Sequence, residues 1–303
     1  MTGGSGDVRL SVVIPTLGRL TALEGCLRAL SASSFPRERF EVIVADDEGS
    51  GSVGRTAAPW AERMSLRVVA TGGRAGASAA RNAGLAAARG GGVAFTDDDC
   101  EPEPDWLLRL EQALDSNPGC AAGGTIVNGA PGRCAEGSQA VLDATHAHFN
   151  GGAEGPRFFA TSNLAFPAEG LRAVGGFDES FPYAEDRELC VRWLADGRRF
   201  VRAPNAVVRH MRRLTPAELW RQHFGYGRGA WSFHRVRSQR DWGRFEIEPG
   251  FYRELARQVA HPRNGAGRPA LAACAVTSQL ANAAGFATEA LRSRASSRRG
   301  PSR

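Results

Sequence analysis

The stretch Gly92-Val-Ala-Phe-Thr-Asp-Asp-Asp-Cys100 decides the fold of this chain, because an apolar run ends directly in three carboxylates. The apolar residues before the carboxylates predict a short buried strand. Earlier strands of the same kind are predicted at residues 10–15, 40–45 and 66–70, and intervening helices at residues 19–31 and 75–89. This rhythm predicts an α/β fold, a doubly wound and mostly parallel sheet with flanking helices and with ligands at the carboxyl edge of its strands.

The second half of the chain is less regular. Strands are predicted at residues 121–128 and 199–209, an extended segment at 158–166, and helices at 104–116, 186–195, 215–236, 249–259 and 269–292. Residues 133–155 are ambiguous, and we expect a mobile loop around a helix there. The predicted domains are a disordered tail (1–8), an α/β domain (9–236), a C-terminal helical extension (237–291) and a basic disordered tail (292–303).

The composition is that of an ordinary globular protein, with 303 residues, 42% apolar and 23% charged. The net charge is +6, and every basic residue other than His is Arg, because the sequence contains no Lys. Much of the positive excess lies in the C-terminal tail. Because this excess belongs to a tail rather than to a binding site, we expect no nucleic-acid partner. Six cysteines without a CxxC spacing indicate a reducing compartment rather than a zinc site or disulfides. The polar N-terminus is not typical of a signal peptide, and no apolar run reaches the ~18 residues of a membrane span. We expect a cytoplasmic protein.

Asp97, Asp98 and Asp99 follow a predicted strand directly, so they crowd at the ligand edge of the sheet. Alone, three adjacent carboxylates repel one another and raise their own pKa values. A divalent cation removes that conflict, and the chain has no Lys to do so. Hard oxygen ligands suit Mg²⁺ or Mn²⁺, which then bind phosphate oxygens. A solvated acidic turn before the helix near Pro104 is the alternative interpretation.

Two further elements point to a nucleotide ligand. Asp46 and Asp47 end the second strand, where a carboxylate can accept hydrogen bonds from ribose hydroxyls or a base N–H. Ordinary turn chemistry is the alternative, and taken alone it is the better interpretation. Arg81, in the helix before the acidic cluster, can bind a diphosphate with its planar guanidinium. A surface arginine on an Ala-rich helix fits the same residues.

The last candidates lie further along the chain. Glu185 and Asp186 begin a predicted helix, whose N-terminus stabilises a carboxylate and suits a group that takes a proton from a hydroxyl. A simple helix-dipole contact is the alternative. His210 follows a predicted strand and is either a metal ligand or a core histidine. Arg228 belongs to a basic and aromatic group that either meets phosphate or a sugar ring, or forms a solvated face.

In this order, residues from about Leu10 to Gly229 resemble the inverting family 2 of glycosyltransferases, which have the GT-A fold. The segments that carry the resemblance are Ser11-Val-Val-Ile-Pro-Thr16, Val44-Ala-Asp-Asp-Glu-Gly-Ser50, Ala80-Arg-Asn-Ala-Gly84 and Thr161-Ser-Asn163 followed by Gly175-Gly-Phe-Asp178. Ala94-Phe-Thr-Asp-Asp-Asp-Cys100 is similar to the metal-binding DXD motif of the family, and Glu185-Asp186 to its ED motif.

The resemblance implies a hexosyltransferase-type enzyme that moves a sugar from a nucleotide-diphosphate donor, typically a UDP-sugar, to an acceptor hydroxyl with inversion. It implies Asp186 as the general base beside Glu185, and Mn²⁺ or Mg²⁺ bound by Asp97, Asp99 and His210. The residues implied at the donor are Pro15, Thr16, Asp46, Asp47, Arg81, Asp97, Asp98 and Arg228. Those implied on the acceptor side are Asn163, Gly176 and Asp178.

Two other classes of protein stay open. A sugar-nucleotide nucleotidyltransferase shares the topology and the metal, but Pro15-Thr-Leu-Gly-Arg-Leu20 lacks the Gly-rich loop and Lys expected after its first strand. A non-catalytic binder of nucleotide sugars or nucleic acid is the second. The acceptor is a glycan, a lipid or a small molecule. An apolar helix before an Arg-rich tail also leaves open a peripheral contact of the C-terminal segment with the inner face of the membrane.

Overall fold

The computed structural model describes residues 8–243, 246–262 and 267–298, which divide into two compact units. The sheet unit comprises Met1–Gly129, Ala153–Glu179 and Leu189–Arg212, and the helical unit comprises Ala130–Gly152, Ser180–Glu188 and Arg213–Arg303. Residues 1–7 of the predicted N-terminal tail and 299–303 of the predicted basic tail lie outside the described residues. The division differs from the predicted boundary near residue 236, since two earlier segments belong to the helical unit.

Eight strands form one mixed sheet within the described residues, in the order β3-β2-β1-β4-β7-β6-β8-β5. They are β1 (Leu10–Thr16), β2 (Phe40–Asp46), β3 (Leu66–Ala70), β4 (Gly92–Phe95), β5 (Cys100–Pro102), β6 (Ala121–Asn128), β7 (Leu164–Pro167) and β8 (Phe200–His210). The first four strands are parallel neighbours, and β7 joins them antiparallel through β4. The predicted mostly parallel α/β sheet is confirmed.

Both faces of the central strands are buried. Along β1, Val12 and Ile14 belong to one apolar cluster, while Val13 between them belongs to the cluster on the opposite face. A strand with helices on both faces needs apolar residues along its middle, as residues 12–15 of β1 and 42–45 of β2 provide. The buried polar residues of these strands lie near their ends, with Ser11 and Glu41 near the start and Thr16 and Asp46 at the carboxyl end, where the site lies.

The described residues form ten helices. They are α1 (Leu20–Ser31), α2 (Ser52–Ala57), α3 (Ala77–Ala87), α4 (Trp106–Ser116), α5 (Arg133–Asn150), α6 (Ala168–Ala173), α7 (Glu185–Ala195), α8 (Pro216–Gln239), α9 (Pro249–Ala260) and α10 (Arg268–Arg298). Short 3-10 turns occupy Arg37–Arg39, Ala58–Trp60 and Thr161–Asn163.

The structure corrects three of the predicted segments. The ambiguous region is a continuous helix, α5, because its small residues pack against α9 and α10, with Ala144, Leu255 and Ala275 buried together. The predicted disordered tail begins too early, since α10 continues from Arg292 to Arg298. The short strand β5, which was not predicted, pairs with β8 about a hundred residues later in the chain. Because β5 has only three residues and its partner strand is distant in the chain, the local sequence shows no periodicity that predicts this strand.

Within the helical unit, α8 and α10 approach each other at two glycines. A Cβ atom on Gly227 would lie 1.9 Å from the carbonyl oxygen of Asn282, and one on Gly285 would lie 2.0 Å from that of Phe224. Both obstacles are backbone atoms, which cannot rotate away. The absence of side chains at these two positions therefore permits this helix crossing.

We expect Gly285→Ala to lower the free energy of unfolding by about 2 kcal/mol, the middle of the usual range for an overpacked core. Gly54→Ala is the control, because Gly54 also lies in a helix but a Cβ there would have nothing within 4 Å. The control should be neutral or slightly stabilising. Urea unfolding followed by circular dichroism measures both, and equal midpoints for the two variants would contradict the crossing.

Candidate active site

The register of the sheet brings the acidic cluster to the carboxyl edge that β1, β2 and β4 share. Thr16 at the end of β1 lies opposite Asp46 at the end of β2, and Val13 lies opposite Phe95 in β4. Asp97, Asp98 and Asp99 then lead from β4 into β5, where Cys100 lies opposite His210 of β8. The strand pairing alone therefore delivers Thr16, three carboxylates and His210 to one region.

Asp97 is the most exposed carboxylate of the cluster, with 26% of its side chain accessible. Its Oδ1 accepts a hydrogen bond of 2.9 Å from Nη2 of Arg81 on α3. The Arg81 guanidinium is itself buried and lies over the ring of Phe177 at 5.6 Å. Arg81 therefore reaches the acidic cluster. Its contact with a donor diphosphate stays a prediction.

Asp98 is a fully buried carboxylate with partners from the loop after β1. Its Oδ2 accepts a 2.6 Å hydrogen bond from the Thr16 hydroxyl, and its Oδ1 pairs with the Arg19 guanidinium. Burial raises the pKa of Asp98 to about 6, a shift that Arg19 and Thr16 oppose and the charge of Asp99 adds to. The side chain is enclosed by these contacts, so its most direct role is to hold the loop of Thr16 and Arg19 against the cluster.

Asp99 is placed between a histidine and an arginine. Its Oδ1 lies 3.3 Å from Nε2 of His210, and its Oδ2 pairs with Arg19. Burial by itself would raise the pKa of Asp99, but the hydrogen bond to His210 and the charges of His210, Arg19 and Arg212 together hold it well below its usual range. Asp99 is therefore a carboxylate kept ionised in a buried position.

A metal ion could be held where Asp99, Cys100 and His210 meet, since their ligand atoms lie within 4.8 Å of one another. Burial raises the pKa of the Cys100 thiol well above its usual value, which disfavours the thiolate as a ligand. The remaining carboxylate and imidazole suit Mn²⁺ or Mg²⁺ in the company of phosphate oxygens. The donor set therefore fits the predicted ion. Asp97 lies outside this group of three among the described residues.

Arg19 is the residue that the sequence reasoning missed. The repulsion among the carboxylates was expected to need a metal because the chain has no Lys, yet Arg19 and Arg81 supply cations to all three. The signal was available: Arg19 ends the loop after β1, and that loop leaves the sheet at the edge where the acidic cluster must lie. The premise that the acidic cluster lacks a cationic neighbour is therefore wrong.

Asp46 and Asp47 serve the loops after β2. Asp46 Oδ1 accepts backbone N–H bonds from Glu48 and Gly49 at 2.9 and 3.1 Å. Asp47 accepts the hydroxyl of Thr71 at 2.5 Å and backbone N–H groups of Ala75 and Gly76 at 2.7 and 2.9 Å. Turn chemistry, the alternative interpretation, describes these contacts. A role at the donor stays a prediction for both, as it does for Pro15 in β1.

The segment Gly175–Glu179 is held by Asn82, whose role was not predicted. The Asn82 side chain accepts from the N–H of Phe177 at 2.8 Å and donates to the Phe177 carbonyl at 2.9 Å and to Glu179 at 2.8 Å. Gly176 has a φ of 66°, and a Cβ there would lie 2.6 Å from Asn82 Oδ1. Asn82 thereby fixes the backbone of Phe177 before Asp178 and holds the side chain of Glu179 after it, while Asp178 itself is half-buried.

The predicted acceptor role of Asn163 needs correction. Asn163 is 1% exposed, and its amide nitrogen donates to the carbonyls of Thr125 and Ala206 at 2.8 and 2.9 Å. Its side-chain oxygen accepts the indole N–H of Trp106 at 2.8 Å. Both N–H groups of the Asn163 amide and its oxygen are thus hydrogen-bonded inside the core. A sugar-acceptor molecule has no access to this position. Asn163 joins β6, β8 and α4.

In the helical unit, Glu185 and Asp186 begin α7, as predicted. Asp186 Oδ1 accepts the backbone N–H of Arg187 at 2.7 Å, and Ala184 before them has a left-handed φ of 63°. The Arg187 guanidinium lies 4.5 Å from the centroid of the Phe233 ring, and burial lowers its pKa to about 10. These contacts hold the first turn of α7 and the Asp186 carboxylate in place.

Arg228 lies on α8 and forms an ion pair of 2.7 Å with Glu289 of α10. The partner was not expected from the sequence, because the two residues are 61 positions apart. The pair adds a charged contact beside the glycine crossing of the two helices. A contact of Arg228 with the donor stays a prediction.

Two family models match the chain. The model described as "Glycosyl transferase family 2" matches residues 11–157, and the one described as "Glycosyl transferase family group 2" matches residues 92–290. Among curated proteins, the chain is 27% identical over 118 residues to glycosyltransferase AglE of Haloferax volcanii, a match that covers 39% of each chain. It is 32% identical over 143 residues to the pre-mycofactocin glycosyltransferase of Mycobacterium tuberculosis, covering 45% of this chain.

The chain spans only 39% and 30% of the lengths of those two relatives. It matches 73% of its own length to the probable glycosyltransferase YdaM of Bacillus subtilis, at 26% identity and 55% of that protein.

Solved structures share the fold. The chain is similar to a mannosyltransferase from Pyrobaculum calidifontis, solved in complex with GDP-Man and Mn²⁺, with a TM-score of 0.60 and 23% identity over 95% of this chain and 81% of that one. It is similar to S. aureus TarS 1–349 with a TM-score of 0.59 and 17% identity, over 85% and 74% of the two chains. At these identities the likeness shows the GT-A fold. Together with the family model that matches residues 92–290, it shows that the chain belongs to the family 2 glycosyltransferases.

Proposed function

We propose that the protein transfers a sugar from a nucleotide-diphosphate donor, most simply a UDP-sugar, to an acceptor hydroxyl with inversion at the anomeric carbon. The observation that carries the proposal is the contact of Asp99 with His210 at the carboxyl edge of the sheet, with the accessible Asp97 two positions before Asp99, in a chain that belongs to this family. The names of the matched relatives support it, as do the donors in structures of similar fold, which are GDP-Man, UDP and UDP-GlcNAc.

In this proposal Asp99 and His210, together with Asp97, would hold Mn²⁺ or Mg²⁺. When bound, the ion would supply positive charge for the departing diphosphate. Arg81 takes part of the same charge through its guanidinium, and Asp98 keeps the loop of Thr16 in place. Thr16, Pro15, Asp46 and Asp47 line the nucleotide side. Arg228 is retained as a donor contact only if its pair with Glu289 opens.

Asp186 is the proposed general base. It accepts the proton of the acceptor hydroxyl as the hydroxyl oxygen attacks the anomeric carbon, while the bond from that carbon to the diphosphate oxygen breaks and its electron pair leaves with the diphosphate. Its position in the first turn of α7 favours the ionised form that this step needs. Glu185 lies beside it on the same turn, and Gly176 and Asp178 lie on the segment that we propose for the acceptor side.

The decisive experiment is a product screen with several sugar nucleotides over a panel of glycan, lipid and small-molecule acceptors, run beside a parallel assay with nucleoside triphosphates and sugar phosphates. A glycosyltransferase releases a nucleoside diphosphate in proportion to glycosylated acceptor. A nucleotidyltransferase would instead release pyrophosphate from a nucleoside triphosphate and a sugar phosphate. A non-catalytic binder would bind a nucleotide sugar and release neither product. Pyrophosphate release without glycosylation would overturn the proposal.

The proposed location is the cytoplasm, with α10 resting on the inner membrane surface. No disulfide joins any of the six cysteines, all of which lie in the described residues, and this supports the proposal of a reducing compartment. In the described residues one helix, Arg268–Arg294, is long and apolar enough to cross a membrane by length and composition, with a third of its apolar window buried. Ser278 and Ala281 are fully buried, whereas Val276, Leu280 and Leu291 are 59%, 58% and 65% exposed. One apolar face is therefore left for lipid, with Arg292 and Arg294 beside it.

For the metal, Asp99→Ala should lower sugar transfer by at least about 10²-fold, because the diphosphate loses its bound counter-ion. Excess EDTA should abolish transfer by the unaltered enzyme, and added Mn²⁺ should restore it. Asp105→Asn is the matched control, a surface carboxylate paired with Arg109, and should change neither rate. Undiminished transfer in EDTA would contradict metal dependence.

For the base, Asp186→Asn should lower kcat by about 10²-fold, the usual loss when a general base is removed, with little change in donor affinity. Steady-state kinetics at saturating donor measure the first quantity, and nucleotide titration of the variant measures the second. Glu185→Gln is the matched comparison on the same helix turn and should retain most of kcat. A larger loss for Glu185→Gln than for Asp186→Asn would move the role to Glu185.

For the membrane contact, the protein should co-sediment with anionic phosphatidylglycerol vesicles at low salt and dissociate at high salt, since each basic residue near the lipid contributes about 1 kcal/mol. Leu280→Glu should weaken binding, because it places a charge on the exposed apolar face of α10. Ala61→Glu adds the same charge to an exposed position of the sheet unit and should leave binding unchanged. A protein that stays in the supernatant at low salt would exclude this contact.

A further inference from the structure

Arg19 occupies the place of a cation in the acidic cluster. Its Nη1 pairs with Oδ2 of Asp99 and its Nη2 pairs with Oδ1 of Asp98, so that one planar guanidinium bridges two consecutive carboxylates. Both carboxylates are buried, with 0% of the Asp98 side chain and 8% of the Asp99 side chain accessible, while the Arg19 side chain is 46% exposed. A fixed buried pair of anions thus meets a cation that is accessible from solvent.

This arrangement stabilises the ionised form of two adjacent buried carboxylates. Two buried carboxylates are costly to ionise together unless a positive charge is close to both. Thr16 and His210 each reach one of the two, while the Arg19 fork reaches both. In a protein without a bound ion, Arg19 therefore supplies much of the charge compensation that a divalent cation would supply.

The same contacts place Arg19 in conflict with such an ion. Asp99 offers two oxygens, of which Oδ1 faces His210 and Oδ2 faces Arg19. An ion bound between Asp99 and His210 brings two positive charges close to a third on Arg19, and like charges at this separation repel strongly away from bulk water. The ion and the guanidinium therefore cannot both keep their full interaction with Asp99.

We propose that Arg19 is an internal counter-cation that competes with the divalent ion for Asp99 and yields its place when a nucleoside diphosphate binds. The proposal rests on the proposed function only in naming the diphosphate. The displaced planar guanidinium finds an anionic partner in a diphosphate, whose oxygens it can bind through two parallel N–H bonds. Metal binding is then coupled to nucleotide binding, and by thermodynamic linkage each strengthens the other by the same factor.

The test measures Mn²⁺ affinity of the full chain by electron paramagnetic resonance of free Mn²⁺, without nucleotide and with UDP or GDP. Arg19→Gln should bind Mn²⁺ without nucleotide at least about tenfold more tightly than the unaltered protein, because the competing charge is gone. Nucleotide should tighten Mn²⁺ binding in the unaltered protein and do so much less in the variant. Arg109→Gln, which removes a surface guanidinium paired with Asp105, is the matched control and should change neither value.

Thermal unfolding supplies a second readout. Arg19→Gln should have a lower Tm than the unaltered protein in EDTA and should gain more Tm from Mn²⁺, since the ion replaces the missing charge. If Arg19→Gln fails to fold in EDTA, Arg19→Lys carries the test, because one ammonium group cannot bridge both carboxylates as the fork does. Its Mn²⁺ affinity should exceed that of the unaltered protein.

Unchanged or weaker Mn²⁺ binding by these Arg19 variants would overturn the proposal, as would an equal effect of nucleotide on the unaltered protein and on Arg19→Gln. These measurements need no sugar transfer. A failed product screen with tighter Mn²⁺ binding by Arg19→Gln would reject the proposed function and leave the role of Arg19 intact. Sugar transfer with unchanged Mn²⁺ binding would do the reverse.

Discussion

The compensation of three consecutive carboxylates at the end of a buried strand is the constraint on which this site depends. Asp97, Asp98 and Asp99 follow β4 with no intervening turn, so the sheet forces them together before any ligand arrives. Each carboxylate has different partners. Asp97 pairs with Arg81, Asp98 contacts Arg19 and Thr16, and Asp99 contacts His210 and Arg19. The acidic sequence is tolerated because cationic and polar partners from β1, α3, β8 and the loop after β1 converge on it.

That distribution gives the three aspartates separate parts. Asp98, enclosed and hydrogen-bonded, ties the loop after β1 to the cluster, and its pKa is raised to about 6 chiefly by burial. Asp99, held ionised beside His210, is the carboxylate suited to a divalent ion. Asp97 is accessible and paired with Arg81, so it is the one placed to meet a ligand from solvent. One short motif thus combines a structural carboxylate, Asp98, with two carboxylates that are suited to contact an ion or a ligand.

Much of the fold could be predicted from the sequence, because β1 to β4 are short, largely apolar segments that alternate with helices. The placement of the acidic cluster at their carboxyl edge followed from topology. What could not be predicted depends on partners distant in the chain. β5 exists through its pairing with β8, α5 through packing on α9 and α10, and the fork of Arg19 through carboxylates eighty positions later. The core position of Asn163, which the resemblance had implied on the acceptor side, could not be predicted because its three partners come from α4, β6 and β8.

The account turns on where a divalent ion binds and what happens to Arg19 when it does. Anomalous diffraction at the manganese edge, from crystals grown with Mn²⁺ and UDP, measures both directly. The account predicts a manganese peak within coordination distance of Asp99 and His210, with the Arg19 guanidinium withdrawn from Asp99 and turned to the diphosphate. A peak remote from Asp99, or an Arg19 that still pairs with Asp99 beside a bound ion, would contradict it.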